Sequence, residues 1–387
     1  MGKGTLAIAS VFIGVGTLMV LQMGCEPYNR PLINQCSVSD LLQRDPNELP
    51  PFYRTGLPVV DNIGCFLTTF FNDAKSSDLN IFILRSVASS AMAFFIIAAI
   101  ESTRTTSRLF ARWYLAVAVI AQGFGMCVAS TLLWLPSLMM GYSGKNKHGA
   151  LRSGIVWTIA ILQLIPTIAV LIMIEGPSNI DTLAFTVFVF TYAPIVMPLV
   201  WIPVGLLLYI IYGPVHTIPN AMRTGSRVAH VLYEVLSVAS AVYWLYSLWA
   251  LVFPLNILPS AILPTTLSQF TSLLQSSWSI ESISAAFMSI EQVQSTELMS
   301  IFDDIVRTAI HPTGKELVGF FLGVDLLVVW LAMILWSGVE DGICTSLRMV
   351  VGGIVFGPGA SIFSYAARRE TRLGGLNHSA YAKSKIE

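Results

Sequence analysis

Residues 182–212 read TLAFTVFVFTYAPIVMPLVWIPVGLLLYIIY, a run of 31 residues that contains no Asp, Glu, Lys or Arg. The hydrocarbon core of a bilayer needs about 20 apolar residues per helix, and a backbone inside it must satisfy its own hydrogen bonds. This run therefore predicts a membrane-spanning helix. It contains Pro194, Pro198 and Pro203. We predict one kinked or tilted helix rather than two short ones, because splitting the run would place the basic tail on the side of the cysteines.

The composition of the whole chain extends this interpretation to a polytopic membrane protein. Of 387 residues, 55% are hydrophobic and 11% are charged, whereas a soluble domain carries about 25% charged residues. This excludes a soluble globular enzyme and the disordered, collagenous and disulfide-scaffold classes. The formal net charge is zero, which argues against nucleic acid as a partner. We predict an all-α helical bundle that forms a single membrane-embedded domain, residues 1–387.

Apolar runs of spanning length predict about eight transmembrane helices. The first could be a cleaved signal peptide, but no small-x-small cleavage site follows Met23, and we expect an uncleaved anchor. The predicted spans are Thr5–Met23, Ile81–Ile100, Trp113–Leu135, Gly154–Ile174, Thr182–Tyr212, Val228–Phe253, Leu317–Ser337 and Leu347–Ala367.

Three segments are predicted to lie outside the bilayer core. Residues 24–80 form a lumenal or interfacial segment, in which Cys25, Cys36 and Cys65 indicate a disulfide and Val59–Phe71 is too short to span. Residues 256–316 have apolar residues at helical spacing and predict an amphipathic lid across the mouth of the bundle. Residues 368–387 form a basic tail.

Lys and Arg positions give only a partial orientation. With eight spans, Lys3, the arginines of residues 104–112 and the basic tail fall on one side, which we take as cytoplasmic. Lys145, Lys147 and Arg152 would then lie on the opposite side, so the distribution of basic residues does not decide the orientation.

Asp325 is the strongest candidate for chemistry, because it lies in the middle of a predicted span. A charge at the bilayer centre costs about 2.5–3.5 kcal/mol on insertion scales, so such a residue is a functional candidate by default. Burial favours the neutral acid, which can donate a proton to a weak base such as an alkene or an epoxide. The structural alternatives are a hydrogen bond across helices or an ion pair with Arg85.

Two further carboxylates and a set of aromatic residues complete the candidate site. Glu234 could be a second acid or base, or its carboxylate could extend to the headgroups; Glu101 could act likewise, or form a salt bridge with Arg104. Aromatic faces stabilise cations, including transient carbocations. We therefore predict substrate contacts for the aromatic residues deep in the spans, namely Trp201, Tyr243, Trp244, Trp249 and Trp330.

Metal and cofactor sites have little support in the sequence. Five histidines are scattered without ligand spacing, and we find no Gly-rich phosphate motif. Residues 72–78 faintly resemble the aspartate motif of membrane prenyltransferases, but Asp303-Asp304 lacks the further aspartate of a second motif, and helix capping explains both. We predict no cofactor and no metal.

Several short motifs carry a family resemblance. They are Thr55-Gly56-Leu57-Pro58-Val59-Val60-Asp61, Glu101-Ser102-x-Arg104, Gln122-x-x-Gly125, Phe321-Leu322-Gly323-Val324-Asp325 and Gly357-Pro358-Gly359-Ala360, with Arg369-Glu370 after the last. In these motifs the chain resembles fungal integral-membrane proteins of secondary metabolism and, more loosely, the transmembrane terpene cyclases of meroterpenoid and indole-diterpenoid pathways.

The resemblance implies a metal-independent isomerase of the endoplasmic reticulum membrane, which protonates an epoxide or alkene of a lipophilic prenylated substrate and guides its cyclisation. The cyclases use two intramembrane carboxylates, and Val324-Asp325 matches the second. This chain is longer, has an additional first span and a 61-residue insertion, and lacks the early Trp-Glu acid, for which Glu101 is the substitute and Glu234 the reserve. The alternative function is a transporter or receptor-like protein for lipophilic metabolites, and a third is a structural partner of another membrane enzyme.

Overall fold

A computed structural model describes residues 3–37, 55–104, 107, 109–141, 151–176, 179–213, 221–252 and 315–374. These ranges contain eleven helices and no strand, which confirms the predicted all-α bundle. The helices are α1 Lys3–Gln35, α2 Pro58–Ala74, α3 Asp78–Ser102, α4 Tyr114–Phe124, α5, α6 Ser153–Glu175, α7 Ile180–Tyr212, α8 Ala221–Val252, α9 Glu316–Asp341, α10 Ile343–Phe356 and α11 Pro358–Leu373. Helix α5 is continuous through Met126–Val128, a π-helical turn Ala129–Trp134, and Leu135–Gly141.

Six of the described helices, α1, α3, α6, α7, α8 and α9, are long and apolar enough to cross a membrane. Helix α3 is the centre of the bundle: Phe94, Ile97 and Ile100 on it are almost completely buried, and α6, α8, α9 and α11 pack around it. Helix α7 is a single helix through Pro194, Pro198 and Pro203, as predicted. The predicted lid, residues 256–316, lies almost entirely outside the described residues.

A disulfide joins the first two helices. Helix α1 extends past the predicted boundary at Met23 to Gln35, and Cys36 immediately after it bonds to Cys65 of α2. This confirms a disulfide among the three cysteines, and Cys25 is buried as a free thiol against the start of α9. We call this side of the bundle the disulfide end; the opposite side, where Glu101 and Arg369 meet, is the ion-cluster end.

The predicted third span is two helices that form a hairpin. Helix α4 starts at the ion-cluster end and runs inward to Gly125, which lies against Asp325 in the middle of α9. Helix α5 then runs back towards the ion-cluster end. The Trp134 ring shows this direction, since it contacts Trp336 near the ion-cluster end of α9 at a centroid distance of 5.3 Å. Gly125 has φ +95°, a conformation that L side chains rarely adopt, and the chain reverses there.

The predicted eighth span, Leu347–Ala367, is likewise a hairpin of two helices and not a single crossing helix. Helix α10 runs inward from the ion-cluster end, the chain turns at Gly357 with φ +91°, and α11 returns. An ion pair between Asp341 and Arg372 holds the two ends of this hairpin on the same side. Both hairpins therefore enter the bundle and leave it at the ion-cluster end, and neither crosses it.

The hairpins change the position of Arg152. Helix α5 ends and α6 begins at the ion-cluster end, where Arg152 lines the same cavity as Arg104 and Arg112, so its predicted position on the opposite side is wrong. Lys145 and Lys147 lie outside the described residues. Among the described residues, the disulfide end carries Arg30, Lys75, Arg85 and Lys315, and the other Lys and Arg residues belong to segments nearer the ion-cluster end. This asymmetry favours a cytoplasmic ion-cluster end, with the disulfide on the lumenal side.

Candidate functional site

A cavity of about 370 Å³ lies in the middle of the bundle. Its walls come from α1, α2, α3, α6, α7, α8 and α9, and from the tip of the α4–α5 hairpin. Along α3 the lining runs from Leu84 to Phe95, which is about 16 Å at the rise of an α-helix. The volume falls in the range of about 300–1,000 Å³ that is typical of small-molecule sites.

The cavity walls are apolar and aromatic. A chain of rings covers the disulfide end: Phe70 contacts Phe321 at 5.5 Å and Phe71 at 5.4 Å between centroids, and Phe71 contacts Phe190 at 5.9 Å. Helix α2 thus acts as a cover, held in place by the Cys36–Cys65 disulfide. An apolar chamber of this kind suits a hydrocarbon ligand.

Asp325 lines this cavity and is 4% exposed. Its Oδ1 accepts a hydrogen bond of 2.6 Å from the backbone N–H of Cys127, in the first turn of α5. The first N–H groups of a helix have no partner within the helix, and the turn at Gly125 directs them at α9. The carboxyl group is therefore anchored to the hairpin tip through one oxygen, which is the interhelical hydrogen bond considered from the sequence.

Arg85 is not the partner of Asp325. Its guanidinium makes two hydrogen bonds of 2.7 Å to the carboxylate of Glu175, at the end of α6. Tyr243, a cavity-lining residue, donates to the same carboxylate at 2.9 Å, and the guanidinium lies 4.8 Å from the centre of the Tyr246 ring. This group, the Arg85–Glu175 cluster, places fixed charges beside the cavity towards the disulfide end. Glu175 has no distinguishing signal in the sequence, because a charge at the end of a span is ordinary.

Glu101 lies in a buried ion cluster rather than in the cavity wall. Its carboxylate accepts from Arg104 Nε at 2.7 Å and from Arg369 Nη1 at 2.7 Å. Arg369 also contacts Glu340 at 2.7 Å, and Glu370 pairs with Arg104. The salt bridge between Glu101 and Arg104 is the structural alternative considered from the sequence, and it ties α3 to the ends of α9 and α11.

Among the described residues, the ion cluster holds three carboxyl groups and two guanidinium groups, so one carboxyl is in excess within this part of the chain. Burial raises the pKa of Glu370 above its usual range; the positive charges of Arg104 and Arg369 oppose this shift, and the negative charge of Glu101 adds to it. Arg369 also lies 5.0 Å from the centre of the Trp336 ring. The cluster is a fully packed structural junction that closes the bundle at this end.

The remaining predicted residues are dispersed. Glu234 has a side chain 62% exposed and contacts His230 at 3.4 Å. Trp201 is buried against Tyr114 and lines a separate cavity of about 1140 Å³ between α4, α6 and α7. Trp244 packs at Gly357, Trp330 packs at Gly353, and Trp249 is exposed. Of the aromatic residues selected from the sequence, Tyr243 alone lines the central cavity in the described part of the chain.

The structure thus brings Asp325 and Tyr243 to one cavity and places Glu101 and Glu234 elsewhere, while the catalytic and binding roles stay predictions. No three His, Cys, Asp or Glu side chains within the described ranges gather into a group that could hold a metal ion. What the cavity can do chemically is to enclose an apolar molecule beside one carboxyl group.

No model of a protein family, no curated protein and no solved structure matches the chain.

Proposed function

We propose that the protein is a membrane-embedded, terpene-cyclase-like enzyme that acts on a prenylated lipophile in the central cavity. The observation that supports this is the position of Asp325, a carboxyl group in the wall of an apolar, aromatic-lined chamber within the bilayer. The lipid bilayer supplies the substrate, and the fungal resemblance suggests the endoplasmic reticulum as the membrane.

In this proposal Asp325 is the general acid. Its proton passes to the oxygen of an epoxide, or to a carbon of an alkene, and the neighbouring double bonds close rings onto the resulting cation. The Asp325 carboxylate takes a proton back from the last cation, which restores the acid and completes an isomerisation, so no cofactor is consumed. A neutral carboxyl group can accept from Cys127 through its carbonyl oxygen while its other oxygen carries the proton.

The cavity walls contribute in two ways. Phe70, Phe71 and Phe321 line the cavity, and the π face of such a ring can stabilise a cationic intermediate, while the apolar lining excludes water that would quench it. These phenylalanines replace the tryptophans predicted from the sequence as the candidate cation-stabilising residues.

The test is cyclisation in microsomes supplied with epoxidised farnesyl or geranylgeranyl aromatics. Asp325→Asn retains an oxygen that accepts from Cys127 and removes the acid, so we expect a folded protein whose turnover falls by 10²-fold or more, the contribution typical of a general acid. The matched control is Glu234→Gln, which we expect to leave turnover within about twofold because its side chain is exposed. Undiminished turnover in Asp325→Asn would contradict the proposal.

A transporter of lipophilic metabolites is the second candidate, and the two hairpins favour it. The turns at Gly125 and Gly357 place helix ends inside the bundle, as the discontinuous helices of transporters do at their binding sites. Proteoliposomes loaded with a prenylated lipophile separate the two functions. Appearance of an isomerised product supports the enzyme, whereas movement of the unchanged molecule across the membrane supports the transporter.

A further inference from the structure

Three polar atoms in the wall of the central cavity have no hydrogen-bond partner within the described part of the chain. They are Nε2 of Gln122, Oε1 of Gln163 and Oγ of Ser240. Gln163 is 4% exposed and Ser240 is 2% exposed, so bulk water does not reach them. An unsatisfied buried polar group destabilises the folded protein, and the bilayer supplies no alternative partner.

Two neighbouring hydroxyl groups find a hydrogen-bond partner within their own helix, by donating to a backbone carbonyl. Thr167, also in the cavity wall, donates to the backbone carbonyl of Gln163 at 2.7 Å. Ser247, two turns after Ser240 on α8, donates to the carbonyl of Tyr243 at 2.6 Å. Other buried side-chain atoms in the described ranges, such as Oγ of Ser90 and Nε1 of Trp330, also have no partner and lie away from the cavity. The atoms of Gln122, Gln163 and Ser240 differ from these in facing an open space, so a ligand inside the cavity can supply their partner.

The chemistry of the amides defines that partner. Nε2 of Gln122 can only donate a hydrogen bond, and Oε1 of Gln163 can only accept one. A hydroxyl group does both, whereas an ether or a ketone offers no donor to Gln163. Both residues reach the cavity from helices other than α9, which carries Asp325, so a ligand could contact the amides and the acid at the same time.

We propose that the ligand of the central cavity is a lipophile with a free hydroxyl group. Its O–H donates to Oε1 of Gln163, and an oxygen of the ligand accepts from Nε2 of Gln122. This inference rests on the proposed function for the place where the ligand binds, but it does not depend on the reaction. Gln122 and Gln163 then select the substrate and hold its polar end, and the apolar walls hold the chain.

The experiment compares farnesol with farnesyl methyl ether, which lacks the O–H donor. Binding to the purified full chain in nanodiscs is measured by titration. We expect the wild-type protein to bind farnesol roughly three- to tenfold more tightly than the ether, the effect of one net hydrogen bond. Gln163→Met, which keeps the length of the side chain, should abolish this preference, and Thr167→Val should retain it because that hydroxyl is already satisfied.

Two further variants keep the result decisive. Gln163→Asn retains an amide oxygen on a shorter side chain and should keep part of the preference, even if Gln163→Met does not fold. Gln122→Met should weaken binding of both probes by a similar factor. Equal wild-type affinity for the two probes would overturn the inference, as would a preference that survives in Gln163→Met, since a trapped water would then satisfy the amide.

Asp325→Asn separates this inference from the proposed function. If the preference for farnesol persists in Asp325→Asn and cyclisation does not depend on Asp325, only the reaction is wrong. If cyclisation requires Asp325 and the preference is absent in the wild-type protein, only the hydroxyl inference is wrong.

Discussion

Gly125→Ala tests the link between the α4–α5 hairpin and Asp325. Gly125 has φ +95° and ψ 154°, a region that residues other than glycine occupy at a cost of about 1–3 kcal/mol. A Cβ there would also lie 3.0 Å from Oδ1 of Asp325, closer than ordinary van der Waals contact. We expect a loss of about 1–3 kcal/mol in the free energy of unfolding, together with displacement of the carboxyl group from the N–H of Cys127.

Gly123→Ala is the matched control, two residues earlier on α4. A Cβ at this position meets no atom within 4 Å, and the backbone is helical, so alanine should be neutral or stabilising by up to about 1 kcal/mol. Reversible unfolding in mixed micelles gives the stability of both variants, and cyclisation or probe binding gives the effect on the site. Equal stability of the two variants would refute the hairpin geometry at Gly125.

Three further predictions concern the frame around the site. Glu101→Gln removes the carboxylate that two buried arginines share and should lower the free energy of unfolding by about 3–5 kcal/mol. Glu370→Gln should lower it by less than about 1 kcal/mol, because the raised pKa of Glu370 favours the neutral carboxyl group. Equal losses would show that Glu370 does not carry the proton of the ion cluster. Cys36→Ser should cost about 2–4 kcal/mol and lower the affinity for lipophilic probes by loosening α2, as measured by unfolding and titration; unchanged affinity would mean that α2 does not cover the site. A membrane-impermeant maleimide added to sealed microsomes should label Cys344, the exposed cysteine at the ion-cluster end; protection of Cys344 there would reverse the orientation.

The helices that cross the bundle follow from the length of the apolar runs, whereas the hairpins do not. Trp113–Leu135 contains no Asp, Glu, Lys or Arg, and a glycine such as Gly125 is common in transmembrane helices, so the run indicates one span. Only the backbone conformation and the contact with Asp325 show the reversal. The second hairpin had a local signal: Pro358 after Gly357 is typical of a helix start.

Part of the candidate site could also be predicted from the sequence. The cost of a charge within the bilayer selected Asp325, and the structure places it in the wall of the cavity. Depth along a span did not select the aromatic residues that line the cavity, because depth does not indicate which face of a helix meets the cavity. The partners of Glu101 include Arg369, which is remote in sequence, so local spacing revealed only the Arg104 contact.

Photolabelling tests most directly whether the central cavity is the ligand site. A farnesol derivative with a diazirine on its chain is irradiated with the purified protein in nanodiscs, and the labelled peptides are identified by mass spectrometry. We expect labels on the stretches around Met92 of α3, Thr167 of α6 and Phe321 of α9, with their intensity reduced by excess farnesol. Labels confined to the lipid-facing residues of α7 and α8, and unaffected by competition, would contradict the account.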